Sequence, residues 1–358
     1  MATIEAVKHK FPYKWNLADG YPAKGIEPNS CNVFGTFVCG GGSTMGYKLA
    51  GFNHLGGVEI DLEVGKVYHV NHKPKHFYLE DIRLFNKRDD LPDELCNLDL
   101  LDGSPPCSSF SMAGNREKDW GKQKQFREGQ KVQRLDDLIF EYVRTIEKLQ
   151  PKVALLENVK GLITGNAKAY AKVLKTAFEV AGYRVQVFLL NAASMGVPQK
   201  RERVFFIGQR KDLGLPELRL GFNEPIIPYG KIRINGVGEN SFTEYDKDVW
   251  NGRVKGDRDY GDILKRKEGR VSNWNSKLIY DEEVCQTITS ASGSKLVSFS
   301  EPKKLSNQEL RNIGSFPLDY DFNNIDVKYL IGMSVPPVMT AQISHQIWLQ
   351  WLSKLKGN

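Results

Sequence analysis

Apolar residues in the first two hundred positions come in short blocks cut by glycine, proline and polar turns. Seven blocks are dense in Val, Leu, Ile and Phe, as buried strands are: "VFGTFV" (33–38), "GGVEID" (56–61), "HFYLEDI" (76–82), "NLDLLDGSPPC" (97–107), "KVALLENV" (152–159), "YRVQVFLLNA" (183–192) and "RVFFIGQR" (203–210). Between them the period changes. "YKLAGF" continues as a helix out of the glycine loop "CGGGSTMG". "LDDLIFEYVRTIEKLQP" (135–151) places Leu138, Tyr142, Ile146 and Leu149 at helical spacing and stops at Pro151, and "YAKVLKTAFEVAG" (170–182) stops at a glycine. Strands alternating with helices predict an α/β fold with a doubly wound, mostly parallel sheet. Ligands of such sheets bind at the carboxyl ends of the strands, where Asp81, Cys107 and Glu157 fall.

The pattern breaks near 210. Residues 209–302 are richer in Gly, Asn, Asp, Lys and Arg, with short strand-like pieces such as "KIRING" and "SKLIYDEEV". They predict a smaller domain inserted into the first, so that 1–208 and 303–358 together build the main domain. In the return segment "KKLSNQELRNIGSFP" and "PVMTAQISHQIWLQWLSKLK" read as helices, the last with Val338, Ala341, Trp348, Leu352 and Leu355 near one face for packing on the sheet. Residues 1–32 look irregular.

Composition narrows the class. Of 358 residues 41% are hydrophobic and 26% charged, an ordinary globular balance. A net charge of +7 and a pI of about 8.9 favour a polyanionic partner. "MATIEAVKHKFPYKW" lacks the apolar core of a leader, and runs such as "VFFIG" are far too short to cross a bilayer. The five cysteines (31, 39, 96, 107, 285) are odd in number and form no CxxC pair. That argues against a disulfide framework and against a metal site, and for a reducing, cytoplasmic setting.

Four stretches carry candidate chemistry, each with a plain structural alternative. A strand, "CGGGSTMG" and a helix let backbone approach a nucleotide-like ligand, and Glu59, at the end of the next strand, is placed to accept ribose hydroxyls. The strict GxGxxG spacing is absent, since Met45 stands at the third position, and a tight turn beside a solvated Glu explains the pair as well. Cys107, behind Pro105 and Pro106 in "GSPPCSSFS", is either a nucleophile on a stiff polar turn or a bystander. Glu157, in "ENV", ends an apolar strand where a carboxylate can share a proton; pairing with a lysine such as Lys160 is the commoner case. In "PQKRER", Arg201 and Arg203 alternate, so an extended segment turns both to one side, toward an anion or toward solvent.

Taken in order, these stretches resemble the DNA (cytosine-5)-methyltransferases of the bacterial and phage modification type. "FVCGGGSTMGYKLAGF" resembles the family's first motif, "GSPPCSSFS" its Pro-Cys motif, "ENVKGL" its Glu-Asn-Val motif and "GVPQKRERVFFIG" its Gln-x-Arg-x-Arg motif; "LSNQELRNIGSFP" and "YLIGMSVPP" resemble the last two. The resemblance spans residues 37 to about 337. It implies a Rossmann-like methyltransferase with residues 209–302 as its target-recognition domain, S-adenosylmethionine as cofactor, and double-stranded DNA as partner. It further implies a monomer, with a restriction endonuclease acting on the same site as a candidate companion.

Residue by residue, it makes Cys107 the nucleophile toward cytosine C6 and Glu157 the group that steadies protonated N3. Arg203 would hold O2, Arg201 would stand near the ring, and Gln199 is the motif's glutamine. Phe37, Gly41 and Gly42 match cofactor contacts. Glu59 matches the ribose carboxylate, Ile60 the adenine face, and Asp81 and Ile82 the adenine edge, with Pro106, Ser334 and Val335 completing the set. "SMAGNREKDWGKQKQFREGQKVQR" (111–134) resembles a loop that closes behind a flipped base. Two positions depart from the pattern: Cys39 replaces a motif glycine, which is expected to crowd the loop, and Met333 replaces an asparagine. A tRNA cytosine methyltransferase of the same fold is the main alternative, but its Cys-Phe-Thr signature is here "SFT" (241–243). An inactive DNA-binding relative is the second, and a nicotinamide oxidoreductase a distant third.

Overall fold

The computed structural model describes residues 9–106, 138–164, 168–236, 242–269, 276–291 and 295–356, with the backbone of 123–124 and 133–134. Contacts divide the chain into two compact units. One comprises 21–191, 202–221 and 340–358, the other 1–20, 192–201 and 222–339. This division differs from the expected boundaries at 209 and 302: residues 303–339, 192–201 and 1–20 group with the inserted segment rather than with the sheet.

The first unit is built on seven strands: β1 Asn32–Thr36, β2 Asn53–Glu59, β3 His76–Leu79, β4 Leu100–Gly103, β5 Val153–Val159, β6 Tyr183–Asn191 and β7 Glu202–Arg210. Their spatial order is β3-β2-β1-β4-β5-β7-β6. The pairs β1–β2, β2–β3, β1–β4 and β4–β5 are parallel, and β7 runs antiparallel to both neighbours. This is the α/β, mostly parallel sheet the blocks predict. Winding reverses between β1 and β4, and that switch point opens a crevice at their carboxyl ends.

Helix α1 (Gly42–Leu49) begins five residues before the "YKLAGF" stretch. Helix α2 (Leu62–His72) is not evident in the sequence, because Gly65 and scattered polar residues blur its apolar stripe; it is started by Asp61, whose side chain accepts from Glu63 N and Val64 N. Helix α3 (Ile82–Phe85) is one turn, α4 spans Leu138–Leu149 and α5 Lys168–Val180. Leu138, Tyr142, Ile146 and Leu149 of α4 are all buried against Phe34, Leu101, Ala154 and Leu156 of the sheet, with Leu174 and Phe178 of α5. Burying each such side chain contributes roughly 1.5–3 kcal/mol.

At the carboxyl end of the chain, a helix over Pro337–Ile347 passes into a π-helical turn, Trp348–Leu352. The wider turn shifts the register. Trp351, rather than Trp348 of the expected face, is fully buried, and its indole N–H donates to Pro216 O at 2.8 Å.

The second unit has its own small core of Val249, Trp250, Tyr260, Ile263, Leu264, Leu278, Tyr280 and Val297. It contains helices α6 (Glu244–Asn251), α7 (Tyr260–Glu268), α8 (Asn307–Ile313) and α9 (Val327–Met333). "SKLIYDEEV" supplies the strand Lys277–Ile279, whereas "KIRING" begins in a single 3₁₀ turn, Tyr229–Lys231, and forms no strand. Among the described residues no helix is long and apolar enough to cross a membrane.

Candidate active site

The loop after β1 turns sharply. Phe37, Cys39 and Gly41 hold φ of 56°, 48° and 72°. Gly41 caps α1, and a Cβ there would stand 2.0 Å from His72 Nε2, so only glycine fits. Gly42 is the first residue of α1, and Phe37 packs partly buried on the core.

Glu59, at the end of β2, ties the loop down. Its Oε2 accepts from Cys39 N, and its Oε1 from Ile60 N and Asp61 N, each at 2.9 Å. Burial raises the Glu59 pKa, and these backbone donors oppose the rise. A carboxylate offers about four lone-pair positions, so three donors leave room for a ligand hydroxyl. Beside it Ile60 is apolar and 40% exposed, open to a flat ring. Asp81 caps α3 through Arg83 N (2.8 Å) and pairs with the Arg83 guanidinium (3.1 Å); Ile82 is buried. An acceptor for ribose hydroxyls next to an open apolar side chain fits the adenosine half of S-adenosylmethionine.

Cys39 holds a left-handed backbone, φ 48°, which glycine adopts most readily. Left-handed backbone costs an L-residue about 1–2 kcal/mol, and the extra chain entropy of glycine about 0.5–1 kcal/mol. Cys39→Gly is therefore expected to stabilise the protein by up to about 1 kcal/mol in denaturant unfolding. A destabilised variant would show that contacts of the cysteine side chain outweigh the backbone strain.

On the other side of the switch point, β4 leads into the proline turn. A Cβ on Gly103 would lie 2.4 Å from the Tyr142 ring, and Asn158 Nδ2 donates to Pro105 O at 3.2 Å, fixing the turn's direction. Pro106 is partly exposed. Cys107, and the 111–134 loop apart from the paired backbone of 123–124 and 133–134, lie outside the described residues. Asp102, a carboxylate not evident as a site residue from the sequence, is buried one residue before Gly103. Its Oδ1 accepts from Tyr47 OH at 3.0 Å, its carbonyl accepts from Thr36 Oγ1 at 3.1 Å, and burial lifts its pKa to about 7. A carboxylate inside the apolar strand "LLDG" was the clue.

Glu157 and Arg203 meet on the antiparallel pair β5–β7, with Glu157 Oε1 3.0 Å from Arg203 Nε. Their side chains are 11% and 14% exposed. Lys160, the partner that sequence proximity suggests, pairs instead with Glu202 at 3.0 Å. Burial lowers the Arg203 pKa while Glu157 opposes the shift.

In the second unit Arg201 takes different partners from Arg203. Its Nη1 donates to Ile288 O, and its Nη2 to Gly332 O and Ser334 O, at 2.8–3.0 Å. Gln199 is equally buried, donating to Ile313 O and accepting from Ile288 N. Within the second unit, Arg201 and Gln199 thus clamp backbone. Ser334 donates its hydroxyl to Leu330 O, and Val335 is buried.

The basic residues of the inserted stretch also separate. Arg253 lies over the Trp250 ring and donates to Phe299 O, and Arg266 pairs with Asp257, so both hold the small core together. Lys255 and Arg258 are 86% and 79% exposed. Arg270 lies outside the described residues.

Comparison with known proteins gives the family. The family model for C-5 cytosine-specific DNA methylase matches residues 32–348. The type II methyltransferase M.FnuDI of Fusobacterium nucleatum is 35% identical over 222 residues, 60% of this chain and 58% of that protein, so the match spans little more than half of the relative's length. M.Sau96I of Staphylococcus aureus, also a type II methyltransferase, is 29% identical over 349 residues, covering 90% and 77%. The crystal structure of a Spodoptera frugiperda DNMT2 mutant superposes with a TM-score of 0.62 at 17% identity over 89% of this chain and all of that one, a likeness of fold. With the family model matching most of its length, the chain belongs to the C-5 cytosine-specific DNA methylase family.

Proposed function

We propose that this protein transfers a methyl group from S-adenosylmethionine to C5 of a cytosine in a specific double-stranded DNA sequence, through a covalent bond between Cys107 and C6. The observation that carries the reading is the buried Glu157–Arg203 pair, at 3.0 Å, in the same unit as the Glu59 cradle. A carboxyl and a guanidinium side by side match the N3 and O2 edge of cytosine.

The Cys107 thiolate adds to C6, forming a C6–S bond. The C5–C6 π pair becomes a nucleophilic pair at C5 while Glu157 holds the proton on N3. Arg203 draws charge toward O2. When bound, S-adenosylmethionine supplies an electrophilic methyl group. The C5 proton then leaves with a base, the C6–S bond breaks and the thiolate is restored. The target cytosine must leave the stack to reach such groups.

Residues 209–302 select the sequence. Phosphate contacts position a protein, whereas side chains at groove edges choose bases, each good bidentate contact contributing about 1–3 kcal/mol of discrimination. Lys255 and Arg258 are exposed, Arg258 in a surface pair with Asp262, whereas Arg253 and Arg266 are committed to the small core. The protein acts as a monomer, and a restriction endonuclease that cuts the same site is the companion such a role implies.

Bisulfite sequencing of plasmid DNA incubated with protein and cofactor tests the reading. One short recurring context with a single protected cytosine is expected. Methylation without context would refute sequence selection by this chain, and transfer to tRNA without transfer to DNA would favour the tRNA alternative.

A further inference from the structure

The switch-point strands and the first helix converge on one residue. Asp102 is 4% exposed at the end of β4, and three groups from two other elements reach it. Thr36 Oγ1, at the end of β1, donates to its backbone carbonyl (3.1 Å), and Tyr47 OH donates to its Oδ1 (3.0 Å). The Ser43 side chain, near the same carboxyl, opposes the rise in its pKa. Ser43 and Tyr47 are four residues apart on α1, hence on one face. Ser43 directly follows Gly42, in the glycine turn that opens α1, and Asp102 lies four residues before Pro106. Tyr47 is itself fully buried, its ring against Phe52 and His54.

A buried carboxyl is costly unless hydrogen-bonded. An aliphatic residue would pack in an apolar strand at no such cost, so the carboxyl's role lies in what it holds. We propose that Asp102 is a positioning residue that clasps the first turns of α1 to the end of β4, setting the glycine loop against the proline turn. This rests on the cofactor reading given above. The Asp102 carboxyl does not touch the reacting atoms; it acts through Ser43 and Tyr47.

The variants Asp102→Ala, which removes the acceptor, and Tyr47→Phe, which removes the donor while keeping the ring, test the clasp. Each is expected to weaken binding of S-adenosylmethionine about tenfold by calorimetry, and to speed amide hydrogen exchange in α1 about tenfold. Because Asp102→Ala and Tyr47→Phe each remove the same Tyr47–Asp102 hydrogen bond, the double variant should be little worse than the poorer single one. Binding of DNA should stay within about twofold of wild type. Hydrogen exchange reads the clasp without any ligand, so it decides the inference even if the wild-type protein were to bind no cofactor or methylate no DNA; those failures would overturn the proposed function instead. Unchanged exchange in α1 for both variants, or effects of the two that add in full, would overturn the clasp.

Discussion

DNA carrying 5-fluorocytosine at the target position is expected to trap the wild-type protein in a denaturant-resistant adduct, and the Cys107→Ala variant in none. Fluorine replaces the C5 proton, so after methylation no base can remove it, the C6–S bond cannot break, and the complex persists. The argument starts at the "GSPPC" turn, where two prolines remove backbone donors and fix the chain ahead of the thiol. Asn158 grips the carbonyl of Pro105 from β5, and the Tyr142 ring fills the space beside Gly103. Steady-state methylation by the alanine variant should fall below detection, since no other step makes C5 nucleophilic. Adducts in equal yield from wild type and variant would show that another nucleophile operates.

The second large effect belongs to the Glu157–Arg203 pair. Arg203→Ala leaves a mostly buried carboxylate without its counter-charge, and breaking a buried pair from one side costs about 3–5 kcal/mol. The variant should lose stability on that scale in denaturant unfolding, along with nearly all turnover. Glu157→Gln separates folding from chemistry. The amide keeps the shape and a hydrogen bond to Arg203 but cannot hold the N3 proton as an acid, and such proton transfers contribute about 10²–10⁴-fold. Its single-turnover rate should fall by roughly that factor while DNA affinity stays near wild type. A glutamine variant with the wild-type rate would remove Glu157 from the chemistry.

Much of the sheet was legible because its strands are short apolar blocks, and "KVALLENV" and "RVFFIGQR" are found within a residue of where they read. The α2 helix was not, since Val64, Val67 and Tyr68 share eleven residues with Gly65 and four charged or imidazole groups, Glu63, Lys66, His69 and His72. Trp351 could not be foreseen from a 3.6-residue period, because the π-helical turn changes that period at the place where it matters. For the candidate site, sequence placed Glu59 and Glu157 at strand ends, but it could not say which cation faces Glu157. Lys160 is nearer in sequence; antiparallel pairing of β5 with β7 brings Arg203. The same limit applies to Arg201, whose partners Ile288, Gly332 and Ser334 are 87 to 133 residues distant. Asp102 escaped attention because local pattern shows a strand residue and not the two α1 side chains that meet it.

The grip of Gln199, Arg201 and Lys328 on Ile288, Thr289 and Ala291 runs through main-chain N–H and C=O groups. Every non-proline residue offers those same two groups. A grip made this way is indifferent to the side chains at 288, 289 and 291, so substitutions there that keep the backbone path should leave it intact.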